Sequence, residues 1–252
     1  CAACGALVVG VPDWLADHGA TSRLLALRAM FVLYAAIGVL VWWLYRQSAP
    51  ASGSVEAAPT PLGPSRRVVV RLAALFSVDA FAGGLVVNSL LSLWLLQRFG
   101  LTLTEAGLFF FVAGILSATS QLLAPLLARR IGLLNTMVFT HIPANICLIL
   151  AALAPTLPAA LVLLFIRSAL SQMDVPTRTA FVMAVVTPGE RAAAASFTAV
   201  PRSLAGALSP ALSGALLASG WLALPLVACG LLKIAYDLVL WRACLNDPIE
   251  DG

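Results

Sequence analysis

Three long stretches of the chain carry no charged side chain, and this feature limits the possible fold more than any other. They are Ala106–Ala128, Ile131–Ile166 and Ser203–Leu232. About 20 apolar residues are enough for a helix to cross a bilayer. In lipid the backbone polar groups must be satisfied within a helix or a closed barrel, and these stretches are too long and continuous for barrel strands. We therefore predict an all-α, polytopic bundle of transmembrane helices.

The composition agrees with lipid as the main solvent. Apolar residues make up 61% of the chain and charged residues 10%, against about 45–50% and about 25% in an ordinary soluble domain. The net charge of +4 comes from dispersed arginines beside apolar runs, not from a basic stripe with interleaved aromatics. We expect a lipid bilayer as partner and no nucleic acid.

The apolar runs divide into seven full spans, each bounded by charged or turn residues. The predicted spans are 24–45, 67–96, 105–128, 132–153, 158–186, 192–218 and 221–242.

The spans fall into two groups on either side of a polar segment. Residues 46–66 contain four prolines with glycines and serines, which predicts a flexible cytoplasmic linker. Residues 1–45 would be the end of an N-terminal bundle, because residues 1–11 already look like the end of an apolar helix; we expect that more of the protein precedes them. Residues 67–245 would form a six-helix C-terminal bundle, and 246–252 a cytoplasmic tail.

The arginines predict the orientation. With alternating spans, one side of the membrane would hold only Arg23, Arg28 and Arg98, and the other side the larger set. Since basic loop residues favour the cytoplasm, we expect the larger set, and the C-terminus, to face the cytoplasm of a bacterial plasma membrane. The larger set is Arg46, Arg66, Arg67, Arg71, Arg129, Arg130, Arg178, Arg191 and Arg242.

No metal or cofactor site is expected. Cys1 and Cys4 have the spacing of a redox or metal pair but lack a second pair, so packing is the better interpretation. His18 and His141 have no carboxylate or cysteine at ligand spacing, and we interpret both as ordinary polar residues.

Charged and polar residues inside the spans are the candidates for a substrate or proton pathway. A charge near the bilayer centre costs about 2.5–3.5 kcal/mol on insertion scales, so these side chains should face the bundle interior or an aqueous cavity. They are Asp79, Asn88, Arg167, Asp174, Arg178, Arg202, Lys233 and Asp237.

The span 158–186 carries the clearest polar stripe. Arg167, Asp174 and Arg178 share one helical face, and Asp174 is one turn from Arg178. Pro176 between them removes a backbone donor, which predicts a kink or local opening. The stripe either lines a cavity, as broken helices do in transporters, or latches helices together.

Asp79 lies near the middle of its span without a basic residue within one turn. Burial without a partner favours the protonated form, so Asp79 is a candidate proton site. Alternatively, Arg202 could pair with Asp79 as a static bridge, or it could pair with Asp174 or with an anionic substrate. Asn88 lies on the opposite helical face, so we do not expect it to share a ligand with Asp79.

Lys233 and Asp237 are also one turn apart. They either neutralise one another or form a polar wall of the cavity.

Two segments near the charged residues have recognisable small-residue and basic patterns. Arg129, Arg130 and Gly132 form a tight basic turn between two spans. Gly206, Pro210 and Ser213 fall on one helical face, with Gly214 beside them; small residues allow close helix packing.

These segments, with the order of two helices, linker and six helices, resemble the major facilitator superfamily. Members of that family often carry G-x-x-x-D-R-x-G between helices 2 and 3, with a weaker copy between helices 8 and 9, where Pro125–Gly132 lies in this chain. Arg130 and Gly132 match it, whereas Arg129 replaces the acidic residue and Pro125 the first glycine. The segment starting at Arg167 resembles the family's R-x-x-x-G element.

The resemblance implies that 67–245 are helices 7 to 12 and that the basic turn is a cytoplasmic gate loop. It also implies inverted three-helix repeats and a cavity completed by an N-terminal bundle. We expect a secondary transporter of a small solute, working by alternating access and coupled to protons. An enzyme is not expected, since no nucleophile–base pair is visible, and no filter-like loop indicates a channel. A receptor or scaffold is the remaining alternative.

Overall fold

A computed structural model describes residues 5, 10–19, 22–47 and 61–246. Within these ranges the chain forms helices and turns and no strand, so the predicted all-α class is confirmed. The helices are α1 Val11–Asp17, α2 Arg23–Gln47, α3 Arg66–Gly84, α4 Asn88–Phe99, α5 Leu103–Ile131, α6 Leu133–Leu153, α7 Leu157–Leu170, α8 Asp174–Ala184, α9 Arg191–Ala218 and α10 Leu224–Asn246.

Among the described residues, six helical stretches are long and apolar enough to cross a membrane. Six of the seven predicted spans coincide with these stretches. The exception is α9, which is helical over its full predicted length but contains Arg202, two prolines and many small residues. These residues lower its apolarity, and α9 packs closely against α3 in the bundle.

From Arg66 onward the helices form six rods, which we number in chain order. Rod 1 is α3 with α4, rod 2 is α5, rod 3 is α6, rod 4 is α7 with α8, rod 5 is α9 and rod 6 is α10. Their ends alternate, so that Arg66, Arg129, Arg130 and Arg191 lie at one end, which we call the basic end. Arg98 lies at the opposite end.

Rod 1 is broken in its middle. The N–H groups of Leu85 and Val86 bond to the carbonyls three residues earlier, and not four as in an α-helix. Val87 is extended before α4 begins at Asn88. The paired glycines Gly83 and Gly84 end α3 here. The span 67–96, predicted as one helix, is thus two half-helices.

Rod 4 is interrupted by a milder turn, in which Ser171 and Met173 keep right-handed helical backbone angles. α7 ends at Leu170 and α8 begins at Asp174, with a turn at 171–173 between them. Pro176 lies in the first turn of α8, where a missing backbone N–H costs no hydrogen bond. The interruption therefore falls just ahead of the proline.

The packing of the rods repeats when the first three are exchanged with the last three. Rod 1 packs on rods 5 and 6, rod 4 packs on rods 2 and 3, and rod 3 packs on rod 6. Under the exchange the contacts of rod 1 with rods 5 and 6 map onto those of rod 4 with rods 2 and 3, and the contact between rods 3 and 6 maps onto itself. The two broken rods map onto each other.

Rods 1 and 5 approach most closely at Gly84. A Cβ atom there would lie 2.7 Å from the carbonyl oxygen of Gly206. Next to this contact, Ser213 donates a hydrogen bond to the Leu85 carbonyl at 2.7 Å. Gly206, Pro210 and Ser213 therefore lie at the crossing, whereas a Cβ atom added at Gly214 would meet no described atom within 4 Å.

At the basic end, Gly132 joins α5 to α6 with φ +87°. This left-handed conformation favours glycine, and it allows the chain to reverse within one residue. Arg129 and Arg130 are exposed beside it.

The end of the predicted flexible linker is a packed element. Ser65 is buried and donates to Glu190 Oε2 at 2.7 Å, and the Gly63 N–H also bonds to Glu190. The flexible linker stays a prediction, and at its end Gly63 and Ser65 are bonded to Glu190. Its residues 48–60, the pair Cys1 and Cys4, and the tail from 247 onward lie outside the described residues.

Candidate functional site

The core of the bundle holds four charged side chains in contact, which we call the ion cluster: Asp79, Asp174, Arg178 and Lys233. Lys233 Nζ lies 2.5 Å from Asp79 Oδ1, and Arg178 Nη2 lies 2.8 Å from Asp79 Oδ2. Arg178 also bonds to Asp174 one turn away. Rods 1, 4 and 6 are thus joined through one buried carboxylate, that of Asp79.

This geometry corrects two sequence expectations. Asp79 does not lie alone, because two cations from other rods contact it. Lys233 does not neutralise Asp237 on its own helix; its partner comes from α3. Sequence spacing missed both contacts because 154 positions separate Lys233 from Asp79.

Asp237 pairs with His141 instead. His141 Nδ1 lies 3.0 Å from both carboxylate oxygens of Asp237, and both residues are buried. His141, interpreted from the sequence as an ordinary polar residue, is therefore part of the site. The only signal for it in the sequence was its position inside a charge-free run.

In the ion cluster the formal charges balance, with Arg178 and Lys233 against Asp79 and Asp174. The His141–Asp237 pair lies outside that balance.

Arg178 keeps spare hydrogen-bonding capacity. Its Nε and Nη1 atoms are buried without a partner among the described residues, and its guanidinium lies 5.2 Å from the ring centroid of Phe76. Unused donors on a buried cation allow it to exchange partners when the helices move.

A cavity of about 410 Å³ opens between rods 1, 2 and 4. We call it the Arg167 cavity. Its volume is within the range of small-molecule sites, about 300–1,000 Å³. Its polar lining residues are Asn88, Ser117, Gln121, Arg167, Ser168, Ser171 and Gln172.

Hydrogen bonds across the cavity hold its walls together. Ser117 Oγ donates to the Ser168 carbonyl at 3.3 Å, and Gln121 Nε2 lies 3.5 Å from Gln172 Oε1. Both contacts join α5 to rod 4. Sequence reasoning identified Arg167 and Asn88 but missed both glutamines.

The two helix breaks separate the Arg167 cavity from the ion cluster. In rod 1, Asp79 precedes the break and Asn88 follows it. In rod 4, Arg167 precedes the break and Asp174 follows it. The cluster therefore lies toward the basic end and the cavity toward the opposite end, and the broken rods connect them. This agrees with the expectation that Asn88 and Asp79 do not share a ligand.

Arg202 does not join either group. It is exposed on α9 and makes no ion pair with a described carboxylate, so neither Asp79 nor Asp174 is its partner here. At 1.5 Å per residue it lies about 16 Å along the helix from Arg191, which is close to mid-membrane.

Glu190 accepts several hydrogen bonds at the basic end of the bundle. Besides Ser65 and Gly63, the Thr187 hydroxyl donates to it at 2.8 Å. These hydrogen bonds, that of Ser65 first, lower the pKa of Glu190 to about 2 because they stabilise the carboxylate. Glu190 thereby ties the start of rod 1 to the loop between rods 4 and 5.

Comparisons with known proteins give one distant relative. Over 179 residues the chain is 25% identical to the Uncharacterized membrane protein YJR124C of Saccharomyces cerevisiae. The match covers 71% of this chain and 40% of the relative, so the chain spans less than half of that protein's length. This chain is a helical membrane protein. No family model and no solved structure matches it.

Proposed function

We propose that the protein is a secondary active transporter of a small solute, built like the C-terminal half of a major facilitator. The observation that carries this proposal is the pair of broken rods. They occupy equivalent positions in two exchangeable sets of three rods, and interrupted helices in corresponding places are typical of transporter binding sites.

The alternative of a receptor or scaffold is less favoured. A static bundle gains little from a buried cluster of two carboxylates and two cations, since buried ion pairs seldom add stability over apolar packing. A static bundle also gains nothing from a polar cavity beside this cluster.

We also propose a carrier and not an enzyme. The Arg167 cavity is lined by an arginine, amides and hydroxyls, without a nucleophile–base pair among its lining residues.

The exposed Arg202 supports a cavity shared with another part of the protein. A guanidinium near mid-membrane is costly in lipid. We propose that this face of α9 meets water or a preceding bundle, as the resemblance implies. Because basic loop residues favour the cytoplasmic side, we also propose that the basic end and the C-terminus face the cytoplasm of a bacterial plasma membrane.

We further propose that protons drive transport and that the His141–Asp237 pair carries them. This replaces Asp79, which two cations hold in its ionised form. The pair joins rods 3 and 6 beside the ion cluster. Asp237 lies one turn from Lys233 on α10, so a change in the charge of the pair acts on Lys233 and, through the contact of Lys233 with Asp79, on rod 1.

The test uses the full-length protein in proteoliposomes with an imposed pH gradient and a panel of small solutes. We expect at least one solute to enter against its gradient, with proton movement that depends on that solute. Uptake indifferent to the pH gradient would contradict proton coupling. A panel without any movement would contradict transport.

A further inference from the structure

The Arg167 cavity has the chemistry of an anion site. Arg167 contributes a guanidinium to its lining, and no acidic side chain is among the residues that line it. The remaining polar groups are amides and hydroxyls, which carry no charge. The cavity therefore has one fixed positive charge and neutral hydrogen-bonding groups around it.

Arg167 has no counter-ion within the described part of the chain. No described carboxylate lies within salt-bridge distance of it, and its Nε is buried without a hydrogen-bond partner. The other cations in the interior, the buried Arg178 and the half-buried Lys233, both have carboxylate partners. Arg167 differs from both in having none among the described residues.

Its depth makes the missing partner significant. At 1.5 Å per residue Arg167 lies about 15 Å along α7 from Leu157, near the middle of a bilayer core of about 30 Å. An unpaired guanidinium at this depth is costly. A bound anion would offset that cost and satisfy the free donors.

The break in rod 1 adds a second positive feature. α4 begins at Asn88, and Asn88 lines the same cavity. The first turn of a helix has unsatisfied N–H groups and the positive end of the helix dipole. Half-helix N-termini of this kind point at anionic substrate groups in transporters.

We propose that the transported solute is a small organic anion whose carboxylate binds Arg167. The single positive charge of the cavity matches a carboxylate better than a doubly charged phosphate. The planar, bidentate guanidinium fork also fits a carboxylate. The amides of Gln121 and Gln172 are placed to bind hydroxyl or carbonyl groups on the rest of the solute. This proposal rests on the proposed transport function.

The test measures the thermal stability of the purified full-length protein with matched pairs of compounds at constant ionic strength. The probes are lactate with lactamide, gluconate with gluconamide, and inorganic phosphate. We expect a carboxylate to raise Tm by ligand linkage and its amide to have no such effect. Arg167→Gln should weaken the apparent affinity by about 30-fold or more, Arg167→Lys should weaken it less, and Arg98→Gln, at an exposed arginine, should not change it.

Three results would overturn the carboxylate site: equal stabilisation by acid and amide, an unchanged response in Arg167→Gln, or stabilisation by phosphate alone. No response to any carboxylate, together with a loss of stability in Arg167→Gln, would instead indicate a counter-ion from elsewhere in the protein and would also overturn it. The flux assay keeps the two proposals apart. Coupled flux of a neutral solute would support transport and overturn the anion site. Carboxylate binding without any flux would support the anion site and overturn transport.

Discussion

At the scale of single residues, the buried carboxylates have different partners and therefore different capacities. Asp79 is held by two cations, Asp174 by the arginine on its own helix, and Asp237 by a histidine. Only the last pairing can gain or lose a proton without leaving a permanent cation unbalanced. The type of partner, more than burial, separates Asp79 and Asp174 from Asp237, which we propose as the proton carrier.

Asp79→Asn should destabilise the protein by about 3–5 kcal/mol, because it leaves buried cations without their shared carboxylate. The additional change Lys233→Met should restore most of that loss, since Arg178 and Asp174 then balance one another. Thermal unfolding of the detergent-purified variants measures this. If the single variant is as stable as the double variant, the cluster is not the balanced network described here.

Sequence reasoning could find these charges but not their pairing. The cost of charge in lipid singled out Asp79, Lys233 and Asp237 without any structure. Their partners depend on the rotation and order of the rods, which hydrophobic runs do not specify. His141 joins Asp237 across 96 positions, and no local spacing announces such a contact.

At the scale of helices, the two breaks and the close crossing of rods 1 and 5 position the site. Pro176 predicted the break in rod 4, whereas the break after Gly83 and Gly84 was not predicted, because the span 67–96 was interpreted as one helix. The positions of the half-helix ends were not predictable to the residue, because they depend on which carbonyls the packed neighbours can satisfy.

Gly84→Ala tests the close crossing. The added methyl group would overlap the Gly206 carbonyl, so we expect a loss of about 1–3 kcal/mol in thermal unfolding. Gly214→Ala on α9 is the matched control: its Cβ meets open space, and alanine favours a helix, so stability should stay equal or rise. Equal tolerance at both positions would contradict this crossing.

The Glu190 tie predicts a pH-dependent contribution to stability. Its pKa falls from 4.5 to about 2 on folding, so the folded state is favoured fully above pH 4.5 and loses this stabilisation as pH falls toward 2. The Tm difference between wild type and Glu190→Gln should therefore be largest near neutral pH and shrink in acid. A difference that grows in acid would show that the carboxylate is not stabilised by these hydrogen bonds.

At the scale of the whole molecule, the six rods place a polar cavity and an ion cluster at different depths. The runs without charge predicted most of this bundle, including the boundaries of its spans to within a few residues. The predicted span 192–218 forms α9, whose small residues allow a tight contact with α3.

The basic end should face the cytoplasm, because that end carries most of the loop arginines. In a variant without the five native cysteines, Ser219→Cys at the opposite end should react with a membrane-impermeant maleimide in intact cells. Arg130→Cys at the basic end should react only after permeabilisation. The reverse pattern would invert the orientation.

The most direct test of the account is proton flux in proteoliposomes containing the full-length protein. Wild type should move protons when its solute is added, and Asp237→Asn should lose that flux while still exchanging labelled for unlabelled solute. Glu105→Gln, which changes an exposed carboxylate at the start of α5, should behave like wild type. Solute-dependent proton flux that persists at the wild-type rate in Asp237→Asn would contradict the assignment of the His141–Asp237 pair as the proton carrier.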